Sequence, residues 1–249
     1  MESLYALLAA DMSDPVLLNN VDHHDLRITA EYGAELGDAV NQMTVFATEF
    51  EALSREYVIV FRRDAAGAFR AVVLLGFGRD ENLYLQGQSW DARTVPALVA
   101  RGPFSIGVPK AGDAGEPMIH VALDHPRVSH GEGHRVFLDH GGNAPYLDYV
   151  AGMLRSIYAG TQIGPAMIEA FDAADLLEPA TLQLEAPDGR SFTIPDVWVI
   201  SQARFAALDG AQLARLNAGD FLRCAVWLMS SLGNLSTLLD RKLARDGGS

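Results

Sequence analysis

Tyr57-Val58-Ile59-Val60-Phe61 and Phe69-Arg70-Ala71-Val72-Val73-Leu74-Leu75, separated by Asp64-Ala65-Ala66-Gly67, decide how the fold is read. Both runs are apolar and rich in β-branched residues, which suit a pleated, buried strand. The short Asp-to-Gly connection predicts a tight antiparallel hairpin. Working outward, Asn82–Leu85 continues the strands, and Asp91 is placed to cap a short helix over Val95–Ala100. Phe104–Val108 and Met118–Leu123 form a second strand pair around the Gly/Pro-rich loop Pro109–Pro117. Thr181–Glu185 and Arg190–Ile200 flank Pro187-Asp188-Gly189, a third hairpin signal. Upstream, Ala39–Leu53 reads as helical.

Helical patterning follows the strands. Pro145 suits a first helical turn, and Tyr146, Tyr149, Val150, Met153, Leu154 and Ile157 recur at helical spacing to about Ala159. Gly160 to Pro165 predicts a break or kink, with helix resuming over Ala166–Leu177. Ala203–Arg245 reads as helices split near Asp209-Gly210 and Asn217–Gly219. Strands grouped first and helices last predict an α+β fold, with an antiparallel β-sheet or partial barrel and C-terminal helices. With no repeat or linker, one domain over 1–249 is expected. It comprises an N-terminal arm (1–50), a mainly β part (57–123), a loop (124–144) and a helical and β part (145–249).

Composition narrows the function classes. Of 249 residues, 32 are acidic and 19 basic, a formal charge of −13 that opposes nucleic acid and anionic membrane surfaces. Cys224 is the only cysteine, which excludes a disulfide scaffold. Glu2 and Asp11 bracket the short apolar stretch at the start, and no basic residue precedes it. Phe221–Leu239 is apolar but carries Arg223 and Asn234. No signal peptide or membrane span is therefore expected, and the expected compartment is the cytoplasm. Glu81-Asn82-Leu83-Tyr84-Leu85-Gln86-Gly87 resembles a protease-cleavage tag except at Leu85. Lying between strands without a linker, it reads as native sequence.

The chain resembles the bacterial SapC family from about His23 to Arg241. The resemblance is carried, in order, by His23-His24-Asp25-Leu26-Arg27, Glu49-Phe50, Arg55-Glu56-Tyr57, Leu74-Leu75-Gly76, Glu81-Asn82-Leu83-Tyr84 and Trp90-Asp91. It continues through Val95-Pro96-Ala97, Arg101-Gly102-Pro103-Phe104, Pro145-Tyr146-Leu147, Leu177-Glu178-Pro179, Asp188-Gly189 and Ser230-Ser231-Leu232-Gly233-Asn234-Leu235. It implies an association with bacterial surface layers, and it brings no catalytic residues with it.

Two constellations bear on chemistry. His120, His125, His130, His134 and His140 crowd one segment with Asp124, Glu132 and Asp139, the ligand types of zinc or non-haem iron. His130 and His134 have a two-histidine spacing, but Gly131 and Gly133 oppose the helix such a site needs. His23 and Asp25 form a His-x-Asp pair that a histidine from 120–140 could complete. The alternative is that Asp25 caps a turn and Arg27 pairs with a carboxylate. No Gly-x-Ser-x-Gly elbow or Walker loop is present. Gly76-Phe77-Gly78 reads as a strand-end turn, and Cys224 as a buried small hydrophobe. Tyr84, Trp90, Tyr146 and Asn234 are the candidates for a binding surface. In the terminal helix Phe221, Leu222, Ala225, Leu228, Met229 and Leu232 form one stripe, which suits burial or a homodimer contact.

The expectation is thus a non-catalytic protein- or peptide-binding protein in an envelope-related pathway, without a cofactor. The alternative is a metal-dependent enzyme using iron or zinc at His23, Asp25 and one of His120, His125, His130 or His134.

Overall fold

The computed structural model describes residues 14–107 and 117–247. The expected apolar start and most of the Pro109–Pro117 loop lie outside the described residues. In chain order the elements begin with β1 (Val16–Leu17), β2 (Arg27–Ile28), β3 (Gln42–Thr44), α1 (Phe50–Leu53), β4 (Val58–Arg63) and β5 (Phe69–Leu74). Next come β6 (Leu85–Gln86), β7 (Ser89–Trp90), α2 (Ala97–Ala100), β8 (Phe104–Gly107), β9 (Met118–Val121), β10 (Val128–Ser129) and β11 (His134–Arg135). The chain continues through α3 (Pro145–Ala173), β12 (Leu177–Glu185) and β13 (Ser191–Ile200). It then runs through α4 (Gln202–Ala206), α5 (Gly210–Ala218), α6 (Phe221–Ser231) and α7 (Leu235–Gly247). The fold is α+β, its sheets are antiparallel and none closes into a barrel, and helices end the chain.

The chain divides into two compact units, Met1–Tyr32 with Ala97–Tyr158, and Gly33–Pro96 with Ala159–Ser249. In the first, two small antiparallel sheets, β1-β9-β8 and β10-β2-β11, surround an apolar core. Leu26, Ile28, Phe104, Val121, Val136, Leu147, Val150 and Leu154 supply most of it. The segment expected to be an irregular loop, 124–144, is mostly that, but Val128–Ser129 and His134–Arg135 flank β2 through Arg27 and Ile28.

In the second unit the order is β12-β13-β4-β5-β3. The expected hairpin forms the centre, in register from Val58↔Leu74 to Arg63↔Phe69. Its turn is fixed by Asp64, whose carboxylate accepts from the N–H groups of Ala66 and Ala68, while Gly67 takes a φ of 81° that favours glycine. Val58, Ile59, Val60 and Phe61 are all buried, so both faces of β4 are covered. Each such side chain contributes roughly 1.5–3 kcal/mol relative to exposure. Phe61 meets Phe171 of α3 edge-on, with ring centres 6.4 Å apart. From α6, Cys224, Ala225, Leu228 and Ser231 are buried, whereas Val226 is exposed.

Two expectations are corrected. Ala39–Leu53 is not one helix, because Gln42–Thr44 pairs with Leu74–Val72 as the edge strand β3, leaving helix only at Phe50–Leu53. Nor does α3 break at Gly160–Pro165. It runs unbroken through Pro165, with Val150, Leu154, Ile157, Met167 and Phe171 buried along its length. Gly160 serves close packing instead, because a Cβ there would overlap the Cβ of Phe46 and come within 2.9 Å of Thr48 Oγ1. The terminal helices split where expected, at the Asp209 cap and at Gly219.

Candidate functional site

In the first unit the crowded histidines serve as separate braces. His23 is buried, and its Nδ1 accepts from the Asn19 N–H at 3.1 Å. His125 Nδ1 accepts from the Arg127 N–H at 3.1 Å. The His120 ring lies over Gly107, leaving no room for a Cβ there, and His134 stacks on Tyr146 with ring centres 5.2 Å apart. One pair from the expected ligand set does meet, since His130 Nδ1 lies 3.3 Å from Asp25 Oδ2. Burial raises the Asp25 pKa, but the His130 bond and charge outweigh it and hold the carboxyl below its ordinary value. Among the described residues no group of three or more His, Cys, Asp or Glu side chains converges to hold a metal ion. Arg27, expected to pair with a carboxylate, donates to the Gly133 carbonyl instead.

Sequence reasoning missed Arg127. It is buried, with Nε donating to the Glu31 carbonyl at 3.0 Å and its guanidinium 5.4 Å from the Tyr32 ring centre. Its only sequence signal is a cation following Pro126 in a segment otherwise read as solvated. Nearby, Tyr146 packs under the Arg101–Phe104 turn, where Gly102 takes a φ of 54°. Burial pushes the Tyr146 hydroxyl up to about 12.

The second unit holds a denser arrangement. Trp90 Nε1 donates to Tyr57 Oη at 2.7 Å, and Tyr57 Oη donates to the Thr94 carbonyl at 2.6 Å. The Tyr57 and Tyr84 rings pack with centres 4.5 Å apart, and Tyr84 Oη donates to the Glu56 carbonyl at 3.0 Å. Glu56 in turn accepts from the backbone N–H groups of Arg93 and Thr94. Asn234 Nδ2 donates to the carbonyls of Ser54 and Tyr57, both at 2.8 Å. Ser231, fully buried, accepts from the Ile59 N–H at 3.0 Å and joins α6 to β4. Asn82 is buried too, bonding the Asp38 carbonyl and the Tyr84 N–H, so the tag-like heptad is part of the fold.

A family model described as SapC matches residues 18–238. The chain belongs to the SapC family. No curated protein and no solved structure matches it. Several of the segments through which the chain resembles the SapC family, among them Arg55-Glu56-Tyr57, Glu81-Asn82-Leu83-Tyr84, Trp90-Asp91 and Ser230–Leu235, build the second cluster. Tyr84 and Trp90, offered by the sequence as surface residues, are 1% and 8% exposed because their polar atoms bond inward. Tyr146 and Asn234 are half-buried with the partners given above. Cys224 is buried as expected, which pushes its thiol up.

What faces solvent at the second cluster is its charged rim. The Arg241 guanidinium lies 4.4 Å from the Tyr84 ring centre and donates to the Asp91 carboxylate at 2.6 Å and the Asp91 carbonyl at 2.9 Å. Asp91, expected as a helix cap, is therefore a partner of α7 instead. Lys242 Nζ meets Glu81 at 2.8 Å. The other Glu81 carboxylate oxygen accepts from the Phe77 and Gly78 N–H groups, which fixes the expected strand-end turn.

Burial raises the Glu81 pKa, but the Lys242 bond and the two backbone donors outweigh it, so the net shift is downward from 4.5. A carboxylate lowered in the folded state stabilises above its unfolded pKa and loses that contribution as pH falls through the folded value. Stability is thus expected to fall as pH drops through 4.5 and below, with Glu81→Gln flattening that slope in denaturant melts. An unchanged slope would show that the Glu81 contacts do not hold in solution.

Proposed function

We propose that the protein is a non-catalytic protein- or peptide-binding protein acting in an envelope-related pathway. The observation that carries this reading is the outer edge of β12. Among the described residues β12 pairs with β13 alone, so the backbone groups along its other side stand open to an incoming strand. Pro179 and the irregularity between Ala180 and Leu182 guard the first half. The second half, Leu182–Glu185, is in regular register with Ile194–Ser191, and its Gln183 and Glu185 side chains are exposed. Added strands bind through main-chain hydrogen bonds and gain specificity from alternate side chains.

SapC membership supports the envelope setting.

A photocrosslinking residue at Gln183 is expected to yield a discrete adduct in cells of the native host, and the same residue at exposed Glu169 on α3 to yield none. Equal labelling at both positions, or none at either, would overturn the proposal.

A further inference from the structure

The two faces of the β12–β13 hairpin differ in chemistry beside the open edge. Leu182 and Leu184 lie opposite Ile194 and Phe192, and the Phe192 ring centre lies 4.9 Å from that of Phe77 and 5.7 Å from the Arg190 guanidinium. Ile194 is buried, whereas Leu182 and Leu184 are only half-buried, so apolar surface continues out to the edge. On the other face Gln183 and Glu185 lie opposite Thr193 and Ser191, and all four are exposed. Neither the Gln183 amide nor the Glu185 carboxylate has a side-chain partner among the described residues. The hairpin Leu177–Ile200 carries four acidic residues and one base, Arg190, which is taken up by Asp188 and Asp246. Glu185 is therefore left without a counter-charge beside unpaired backbone.

We propose that the partner at this edge is an extended segment that alternates apolar and basic residues, an inference that rests on the strand-edge reading. Side chains of an added strand alternate between the two faces in step with those of β12, whichever direction it runs. Those beside Leu182 and Leu184 extend an apolar row, which rewards apolar residues. Those beside Gln183 and Glu185 meet an amide and a free carboxylate, and opposite charges facing each other across strands are favoured. The net charge of −13 attracts the same sign of partner from a distance. It also selects against a second copy of the chain, which would bring its own Glu185 and a further −13 to the edge.

The test uses the full chain and three labelled synthetic octapeptides. One alternates valine and lysine, one alternates valine and glutamate, and one has the valine–lysine composition arranged in two blocks. By fluorescence anisotropy the alternating lysine peptide is expected to bind about tenfold tighter than either of the others, with affinity falling as salt rises. Glu185→Gln should weaken it roughly two- to fivefold, the range of one cross-strand charge pair, while Glu169→Gln on α3 should not. In the unaltered chain the peptide should slow amide exchange within 182–185 and leave 58–74 unchanged, a readout that needs no variant. Equal affinity for the lysine and glutamate peptides would overturn the proposal, as would an effect of Glu169→Gln as large as that of Glu185→Gln. So would a chain that dimerises through β12 at the concentrations used. A discrete adduct from Gln183 with no preference for the alternating lysine peptide would overturn this partner and leave the strand-edge reading standing, whereas the absence of both would overturn the two together.

Discussion

Replacing Tyr57 with alanine is expected to destabilise the protein by roughly 3–5 kcal/mol, the range for removing a large buried aromatic side chain. Tyr57 is fully buried, packs on Tyr84, and accepts the Trp90 indole N–H at 2.7 Å. Tyr57→Phe separates packing from hydrogen bonding. It keeps the ring but removes two hydrogen bonds, from Trp90 Nε1–H to the hydroxyl and from the hydroxyl to the Thr94 carbonyl. Leaving a buried polar group unsatisfied costs about 1–3 kcal/mol, so the phenylalanine variant should fall between the native chain and the alanine variant. Burial pushes the Tyr57 hydroxyl pKa up, which keeps it protonated and makes the loss independent of pH below the tyrosine range. Urea melts of the three proteins measure all of this. A phenylalanine variant as stable as the native chain would show that the Trp90–Tyr57–Thr94 relay carries no energy.

Gly160 gives the second large effect, because two principles predict opposite signs. Inside an isolated helix, glycine to alanine gains about 1 kcal/mol. Here the new Cβ would overlap the Cβ of Phe46, a buried residue just before α1. Overpacking of this kind costs roughly 1–3 kcal/mol. Gly160→Ala is therefore expected to destabilise, and Gly160→Val more so because its extra methyl groups enlarge the clash. Stabilisation by Gly160→Ala would show that Phe46 yields. Gly152 and Gly164, on the same helix with open space around them, serve as controls where alanine should be neutral or favourable.

The contrast between these positions shows which parts of the fold are legible in sequence. The hairpin at 57–75 is legible because its information is local. β-Branched runs, an Asp that bonds its own turn and a glycine at positive φ all lie within one short stretch. The same holds for Pro187-Asp188-Gly189, and for the terminal helices with their Asp209 cap. Gly160 is misread because its partner Phe46 is far away in sequence, so a glycine serving close packing looks like a helix breaker. Ala39–Leu53 fails for the same reason: Gln42–Thr44 becomes a strand only when Val72–Leu74 is there to pair with it.

The sites follow that division. Residues near each other in sequence, His120 to His134, look like a ligand cluster, yet each ring has its own partner: backbone groups for His120 and His125, the Asp25 carboxylate for His130 and the Tyr146 ring for His134. Asp25 and His130 do come together, because Arg27 and Ser129 are paired across β2 and β10. Tyr84 and Trp90 were legible as important aromatics through the resemblance, but their side was not. Composition and local pattern by themselves determined the α+β class, the central hairpin, the isolated cysteine and the acidic surface. Only the tertiary structure decided which aromatics are buried, which glycine is a packing device, and that α7's cations cover the acidic surface of 81–91. Burial and pairing are set by distant neighbours, and a reading of local sequence holds no information about which of those neighbours arrive.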